Sequence, residues 1–378
     1  MRSTVLSFFL VLALMSPSWL TAHAETLVYL GTYTRGSSQG IYVSRLDTTT
    51  GALSTPILAA KAENPSFVAL HPDRPLLYAV SEVSGNDTIG VMAFQIKADG
   101  TLKKLNERST GGGAACHVSV DPTGRCVGVA NYTGGSCVTF PISEDGSLGE
   151  DSTFIQHTGG SGANPRRQNE PHAHAFNFNS DGTQAFVNDL GKDQILIYDV
   201  DPQTAKMKPA KQPFLALPAG GGPRHFCLDP SFKLAAANLE MTSQVVLLAY
   251  NSKQGSIETI SMRESLPKGE NKKGNSTAEC LVHPNGQYVY VSNRGHNSIA
   301  AFRLDVDKRT LTPIGNTSSE GAIPRGFGID PSGQFLVVGN QNSGNVVSFK
   351  IDEVTGKLQS TGHSIQVDSA VNVRFLNR

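Results

Sequence analysis

Apolar positions in this chain come in short runs, too brief for a helical period to develop. PSFVAL (65–70) is followed by LLYAV (76–80), GVMAFQI (90–96) and then the more polar DGTLKKL (99–105). The same order returns with CHVSV and CVGVA, with AFVN and QILIYDV, with YVYVS and IAAFRL, and with GFGI, FLVVG and VVSFKI. Runs of this length bounded by Gly, Pro, Asn and Asp read as β-strands. A tight turn joins the first two runs of each unit. It appears as His71-Pro72-Asp73-Arg74, Asp121-Pro122-Thr123-Gly124, Asn179-Ser180-Asp181-Gly182, Asp229-Pro230-Ser231-Phe232, His283-Pro284-Asn285-Gly286 and Asp330-Pro331-Ser332-Gly333. Successive turns start 47 to 58 residues apart. Each unit therefore carries four strands in roughly 50 residues, the period of propeller blades.

Six turns mark six units, and the chain ends supply a seventh. LVYLGTY and GIYVSRL near the start look like second and third strands with no first strand before them. AVNVRFL at the end looks like a first strand with no successors. Joining the ends in one sheet completes a blade. The expectation is an all-β, seven-bladed β-propeller of four-stranded blades; a six-bladed ring with loose ends is the alternative. The stretch from Gly159 to Glu170 reads as a loop insertion ahead of a first strand and accounts for the longest spacing.

Residues 1–24 stand outside this pattern. Arg2 precedes an apolar run from Val5 to Met15, and Ala22-His23-Ala24 offers a small-x-small cleavage site. This is the form of a secretory signal, too short for a comfortable membrane span. The expectation is export to the periplasm or beyond, with no membrane attachment after cleavage. Residues 25–378 then form the propeller domain. If the signal reading fails, the chain is cytoplasmic.

Charge adds little. The 32 Lys and Arg balance 32 Asp and Glu, so no global field points to nucleic acid. Five cysteines fit no zinc spacing, and unpaired cysteines in the core or at strand ends are expected. A monomer or weak dimer is expected.

The candidate chemistry comes from register. Five residues before each turn stand Ser66, Cys116, His174, Arg224, Ala278 and Arg325; eleven after it stand Glu82, Tyr132, Leu190, Glu240, Arg294 and Gln341. The start of a first strand and the end of a second lie on the same face of a ring. His174, Arg224, Arg325, Glu82, Glu240, Arg294 and Gln341 should therefore crowd one mouth of the central channel. Asp189, Asn293, Asn340 and His172 should rim it. The turns on the opposite face need only turn chemistry. His117 and His225, one residue off the inward position, should pack between blades, and Glu279 is undecided.

Converging arginines favour an anionic ligand or a developing oxyanion. Glu240 and His174 are the available acid–base groups. A structural Arg224–Glu240 ion pair is the plainer alternative. His172 and His174 share a strand face, but no third ligand stands nearby, so no metal and no cofactor is expected. Neither a phosphate-binding glycine loop nor a Gly-x-Ser-x-Gly nucleophile turn is present. The inventory suits hydrolysis of a lactone, which needs an activated water and an oxyanion stabiliser.

LGTYTRGSSQGIY (30–42), PHAHAFNF, VNDLGKDQI, GGPRHFCLDP, VSNRGHNSIAAF and IPRGFGIDPSG occur in order over residues 26–376. Together they resemble the seven-bladed propeller lactonase family, which includes propeller-type 6-phosphogluconolactonases and carboxy-cis,cis-muconate lactonising enzymes. The resemblance implies a propeller and lactone chemistry. It also implies a His, two Arg and a Glu at the channel mouth, falling by motif on His174 (with His172 as the other candidate), Arg224, Glu240 and Arg294. His172, Arg325, Glu82, Asp189, Asn293 and Gln341 are the candidate substrate-binding residues. The expected partner is a small anionic lactone. An export signal sits awkwardly with a cytoplasmic sugar phosphate, so an unphosphorylated sugar lactone stays open. So do a muconate cycloisomerase and a non-enzymatic propeller that binds an anionic ligand or partner.

Overall fold

A computed structural model of the chain describes residues 26–85 and 89–377. The proposed signal, residues 1–24, lies outside them. The described residues form seven four-stranded antiparallel sheets arranged as a ring. Blades 1 to 6 run from innermost strand to outermost in chain order, beginning at Val68–Leu70, Ala115–Val120, Ala173–Phe178, Pro223–Leu228, Ser276–Val282 and Pro324–Ile329. Blade 7 is built from both ends. Its innermost strand is Ala370–Asn377, which pairs with Thr26–Thr32, followed outward by Gly40–Leu46 and Ile57–Lys61. The ring is therefore seven-bladed and closed by its termini; the six-bladed alternative is excluded.

The sequence pattern follows from where each strand sits. Second strands are buried on both faces, which is why they read as unbroken apolar runs. Leu76–Val80, Cys126–Asn131, Leu234–Leu239 and Phe335–Asn340 are buried at every position. Outermost strands are mostly exposed, as in Lys206–Ala216, where only Met207 and Ala210 are buried. The core is divided into seven apolar clusters, one at each blade interface. Phe176, for example, fills the seam between blades 2 and 3 beside Ala130 and Cys137. Burying a side chain of this kind contributes about 1.5–3 kcal/mol.

The turns behave as turn chemistry alone. Asp330 Oδ1 accepts from the Phe335 amide at 2.7 Å, and Oδ2 accepts from the Ser332 amide at 3.0 Å. Gly333 follows with φ 76°. Where histidine replaces the aspartate, Nδ1 takes the turn amide and Nε2 donates to the next blade's turn, as His283 does to Gly333 O at 2.8 Å. Phe232 holds the left-handed position that glycine holds in four of the other turns, at φ 53°.

Candidate active site

One irregularity recurs around the ring. In six blades the pairing between first and second strands skips at the same level. Ala173 pairs with Asp189 and Ala175 with Asn188, leaving His174 out of the ladder. Cys116, Arg325 and Val371 are left out in the same way, and so are Arg224 with His225 and Ala278 with Glu279. These are β-bulges, which re-aim side chains at the rims of closed sheets. The ladder's lost partners are replaced by side chains: Asn238 Oδ1 accepts from the His225 amide at 2.9 Å, and Ser292 Oγ from the Glu279 amide at 2.9 Å.

The bulged residues line the narrow end of the channel. Ser66, Glu82, Cys116, His174, Arg224, Arg325 and Val371 surround a cavity there with Phe67 and His225. It has room for about one water molecule. Larger hollows lie between outer strands on the turn face, far from these groups.

Glu240 is the anchor. Its Oε2 lies 2.9 Å from Arg224 Nε and 3.0 Å from Arg294 Nη2, and its Oε1 accepts from Arg167 Nη2 at 2.9 Å. The Arg224 contact is a charge contact off the line of a good hydrogen bond. Arg224 Nη1 donates to Ala278 O at 2.7 Å, and Arg294 Nη2 to Thr277 O at 2.9 Å. Burial would raise the Glu240 pKa, but Arg294, Arg224 and Arg167 outweigh it and hold the carboxyl well below the usual range. Burial, with Arg294 and Arg325 beside it, pushes Arg224 down to about 10. Across the mouth, Arg325 Nη2 donates to the Tyr33 hydroxyl at 2.9 Å. That hydroxyl donates to the Glu82 carboxylate at 2.9 Å, and Ser66 Oγ donates to the same group.

His174 sits between these clusters, buried, with Nδ1 3.9 Å from Cys116 Sγ. Burial, then Arg224, His225 and Arg325, drives its pKa well below the ordinary value, so the ring is neutral. His172 lies at the rim, stacked on Tyr132 at 4.7 Å with Nδ1 donating to Tyr132 O at 3.0 Å.

A second layer lies directly beneath. His117 and His225 meet across the channel at 5.5 Å between ring centroids, with Phe67 4.1 Å from His117. His225 Nε2 accepts from Arg224 Nη1 at 3.1 Å, which leaves Nδ1 to donate to Glu279 Oε1 at 2.6 Å. Arg374 covers the Phe67 ring at 4.6 Å. This corrects the expectation that His117 and His225 pack between blades. A bulge sets two residues against one, so the residue after the bulge keeps facing the channel.

Asp189 and Asn293 face away from the mouth. Asp189 is fully buried; its Oδ2 accepts from His157 Nδ1 at 2.6 Å and its Oδ1 from the His172 amide at 2.8 Å. It braces the strand that carries the histidines. Asn293 is bonded to Ser265, accepting at 2.6 Å and donating at 3.0 Å. Gln341 is half-buried near the rim, with Oε1 lacking a partner. His172, His174 and their neighbours form no metal-type trio: no group of three His, Cys, Asp or Glu suited to a metal converges among the described residues.

Two contributors escaped the sequence reading. Tyr33 occupies in blade 7 the position of Glu82, Glu240 and Arg294, since Thr32 aligns with Asn340 in the pairing. No turn precedes it in the chain, so counting from turns passes over it. Arg167 comes from the insertion between Gly159 and Glu170, which has no repeat register.

The family described as Lactonase, 7-bladed beta-propeller, matches residues 27–375. The chain is 36% identical to the 6-phosphogluconolactonase of Bacillus subtilis (strain 168) over 354 residues, covering 93% of this chain and 98% of that protein. It is 31% identical to the 6-phosphogluconolactonase of Formosa agariphila over 353 residues, covering 92% and 99%. Among solved structures it is similar to the periplasmic gluconolactonase PpgL of Pseudomonas aeruginosa. The TM-score is 0.87 with 30% identity, and the match covers 94% of this chain and 99% of that one.

Proposed function

Because the chain belongs to the seven-bladed β-propeller lactonase family, we propose that it hydrolyses a sugar-acid lactone at the arginine-lined mouth, giving the open aldonic acid. The observation that carries this reading is the charge imbalance at the mouth. Arg167, Arg224, Arg294 and Arg325 outnumber Glu82 and Glu240, with His174 neutral, while Glu279 beneath is shared with His225 and Arg374. A buried excess of cations is costly in isolation and favourable beside an anion.

In this reading the lactone ring sits above the cavity, which is too small to admit it, and the attacking water sits within. His174 takes the proton as water attacks the acyl carbon. Glu240 is the poorer base, because three arginines hold its lone pairs. The acyl C–O ring bond then breaks, and the ring oxygen leaves as a hydroxyl, taking back the proton that His174 accepted from the water. Arg224 and Arg294 stabilise the oxyanion formed on the way. An anion at the mouth also offsets the arginine charges that depress His174, so binding makes it a better base. Glu240 holds both arginines in register.

Export is part of the proposal. The pattern of residues 1–24 supports it, and the similar Pseudomonas protein is described as periplasmic.

The test is a lactone panel, gluconolactone and its 6-phosphate included, assayed on residues 25–378 with the spontaneous opening rate subtracted. Hydrolysis that falls at least 100-fold in Arg224→Ala is expected. No acceleration of any lactone sinks the reading. Muconate consumption followed by ultraviolet absorbance would favour the cycloisomerase instead.

A further inference from the structure

We propose that Arg167 is a movable anion reader that selects phosphorylated over neutral sugar lactones and uncovers Glu240 when substrate binds. The inference rests on the lactonase reading, is independent of the export reading, which favours an unphosphorylated lactone, and adds the residue that determines specificity.

Three observations carry it. The first is exposure. Arg224 has 3% of its side chain exposed and Arg294 has 12%, whereas Arg167 has 40%. An anion arriving from solvent meets Arg167 first. The second is attachment. Arg224, Arg294 and Arg325 stand on strands of the ring, but Arg167 stands on the loop between blades 2 and 3. That loop is tied at both sides of the arginine. Asn164 Nδ2 reaches Met241 Sδ at 3.7 Å, and the fully buried Gln168 donates to Leu190 O at 2.8 Å. The guanidinium is thus delivered to the mouth by a loop residue, held at its tip by Tyr132 and Glu240.

The third observation is the bonding pattern. Arg167 makes both of its side-chain hydrogen bonds with Nη2, to the Tyr132 hydroxyl at 2.7 Å and to Glu240 Oε1 at 2.9 Å. A guanidinium offers five donors, and a phosphate takes two of them at once. A phosphate dianion at the rim therefore competes for Arg167 with a carboxylate that two other arginines already neutralise. Transfer of Arg167 from Glu240 to the phosphate leaves Arg224 and Arg294 on Oε2 and frees Oε1 towards the substrate. Tyr132, stacked on His172, remains as the resting place to which the arginine returns.

The experiment compares 6-phosphogluconolactone with gluconolactone in the wild-type protein, Arg167→Ala and Arg167→Lys. The ratio of kcat/KM for the two substrates should fall about 10- to 100-fold in Arg167→Ala, mainly through the KM of the phosphorylated lactone. Lysine should recover part of the loss, as a point charge without the fork. A binding arm needs no turnover. 6-Phosphogluconate should raise the melting temperature of the wild-type protein and raise that of Arg167→Ala far less, with the unliganded melting temperatures serving as the folding control. Equal losses for both lactones in Arg167→Ala, or an unchanged ratio, overturn the inference and leave the lactonase reading standing. So does a wild-type protein with no preference for the phosphorylated lactone. If the wild-type protein hydrolyses neither lactone, the lactonase reading fails. The binding arm then still decides whether Arg167 reads phosphate: a ligand shift equal in wild type and variant rejects it.

Discussion

Replacing Glu240 by glutamine removes one charge from a site where three arginines converge at 2.9–3.0 Å. With charge centres roughly 4 Å apart, each pair is worth about 4 kcal/mol of gross attraction at an effective dielectric near 20. Desolvation cancels much of that. What remains on deleting one partner is the cost of stranding buried cations, about 3–5 kcal/mol. At roughly 2 °C per kcal/mol for a domain of this size, the melting temperature at pH 7 should fall by about 6–10 °C. The pH dependence gives a sharper test. The Glu240 pKa is lower in the folded chain than its ordinary 4.5. Its stabilisation is therefore complete above that ordinary value and fades as pH falls towards the folded one. Melting measured by circular dichroism should show the full gap between wild type and Glu240→Gln at pH 7 and a narrower gap at pH 3. The lactonase rate at pH 7 should fall about 100-fold or more. A gap of equal size at both pH values would refute the electrostatic account. A stable variant with undiminished turnover would remove Glu240 from the site.

Other substitutions probe other links. Tyr33→Phe deletes the hydroxyl that joins Arg325 to Glu82, and should cost about 1–3 kcal/mol in urea titrations. A cost below a few tenths would show that Arg325 finds Glu82 unaided. Gly128→Ala would place a Cβ 2.3 Å from the Phe176 ring at the seam of blades 2 and 3, costing about 1–3 kcal/mol without touching the mouth. Chelation with EDTA should leave the initial rate unchanged; a loss restored by divalent metal would revive His172 and His174 as ligands.

The fold was legible because each blade repeats one grammar. A turn of fixed chemistry stands between two apolar runs, and double burial makes the second run continuous. The hub was legible to the extent that register survives. Arg224, Glu240 and Arg294 come together because first-strand starts and second-strand ends share a face. Register failed where the backbone departs from regular pairing. The bulges turn His117 and His225 into the channel, against the two-residue alternation that placed them between blades. Asp189 and Asn293 sit one residue before the inward position, where the side chain turns into the blade, and neighbouring strands satisfy them. Arg167 has no sequence signal, since an insertion carries no register to count from.

Closing the ring with both termini also fixes when the hub comes into being. Asn377 pairs with Thr26, so blade 7 is complete only once Ala370–Asn377 has joined Thr26–Thr32. Val371 and Arg374 arrive with it, and the Asn372 side chain accepts from the Val68 amide at 3.0 Å to join blade 7 to blade 1. Six finished blades still leave Tyr33 and Arg325 on opposite sides of an open seam. A chain clipped short of residue 370 therefore holds every catalytic candidate and no assembled site. The hub is assembled in a single step, when Ala370–Asn377 docks beside Thr26–Thr32.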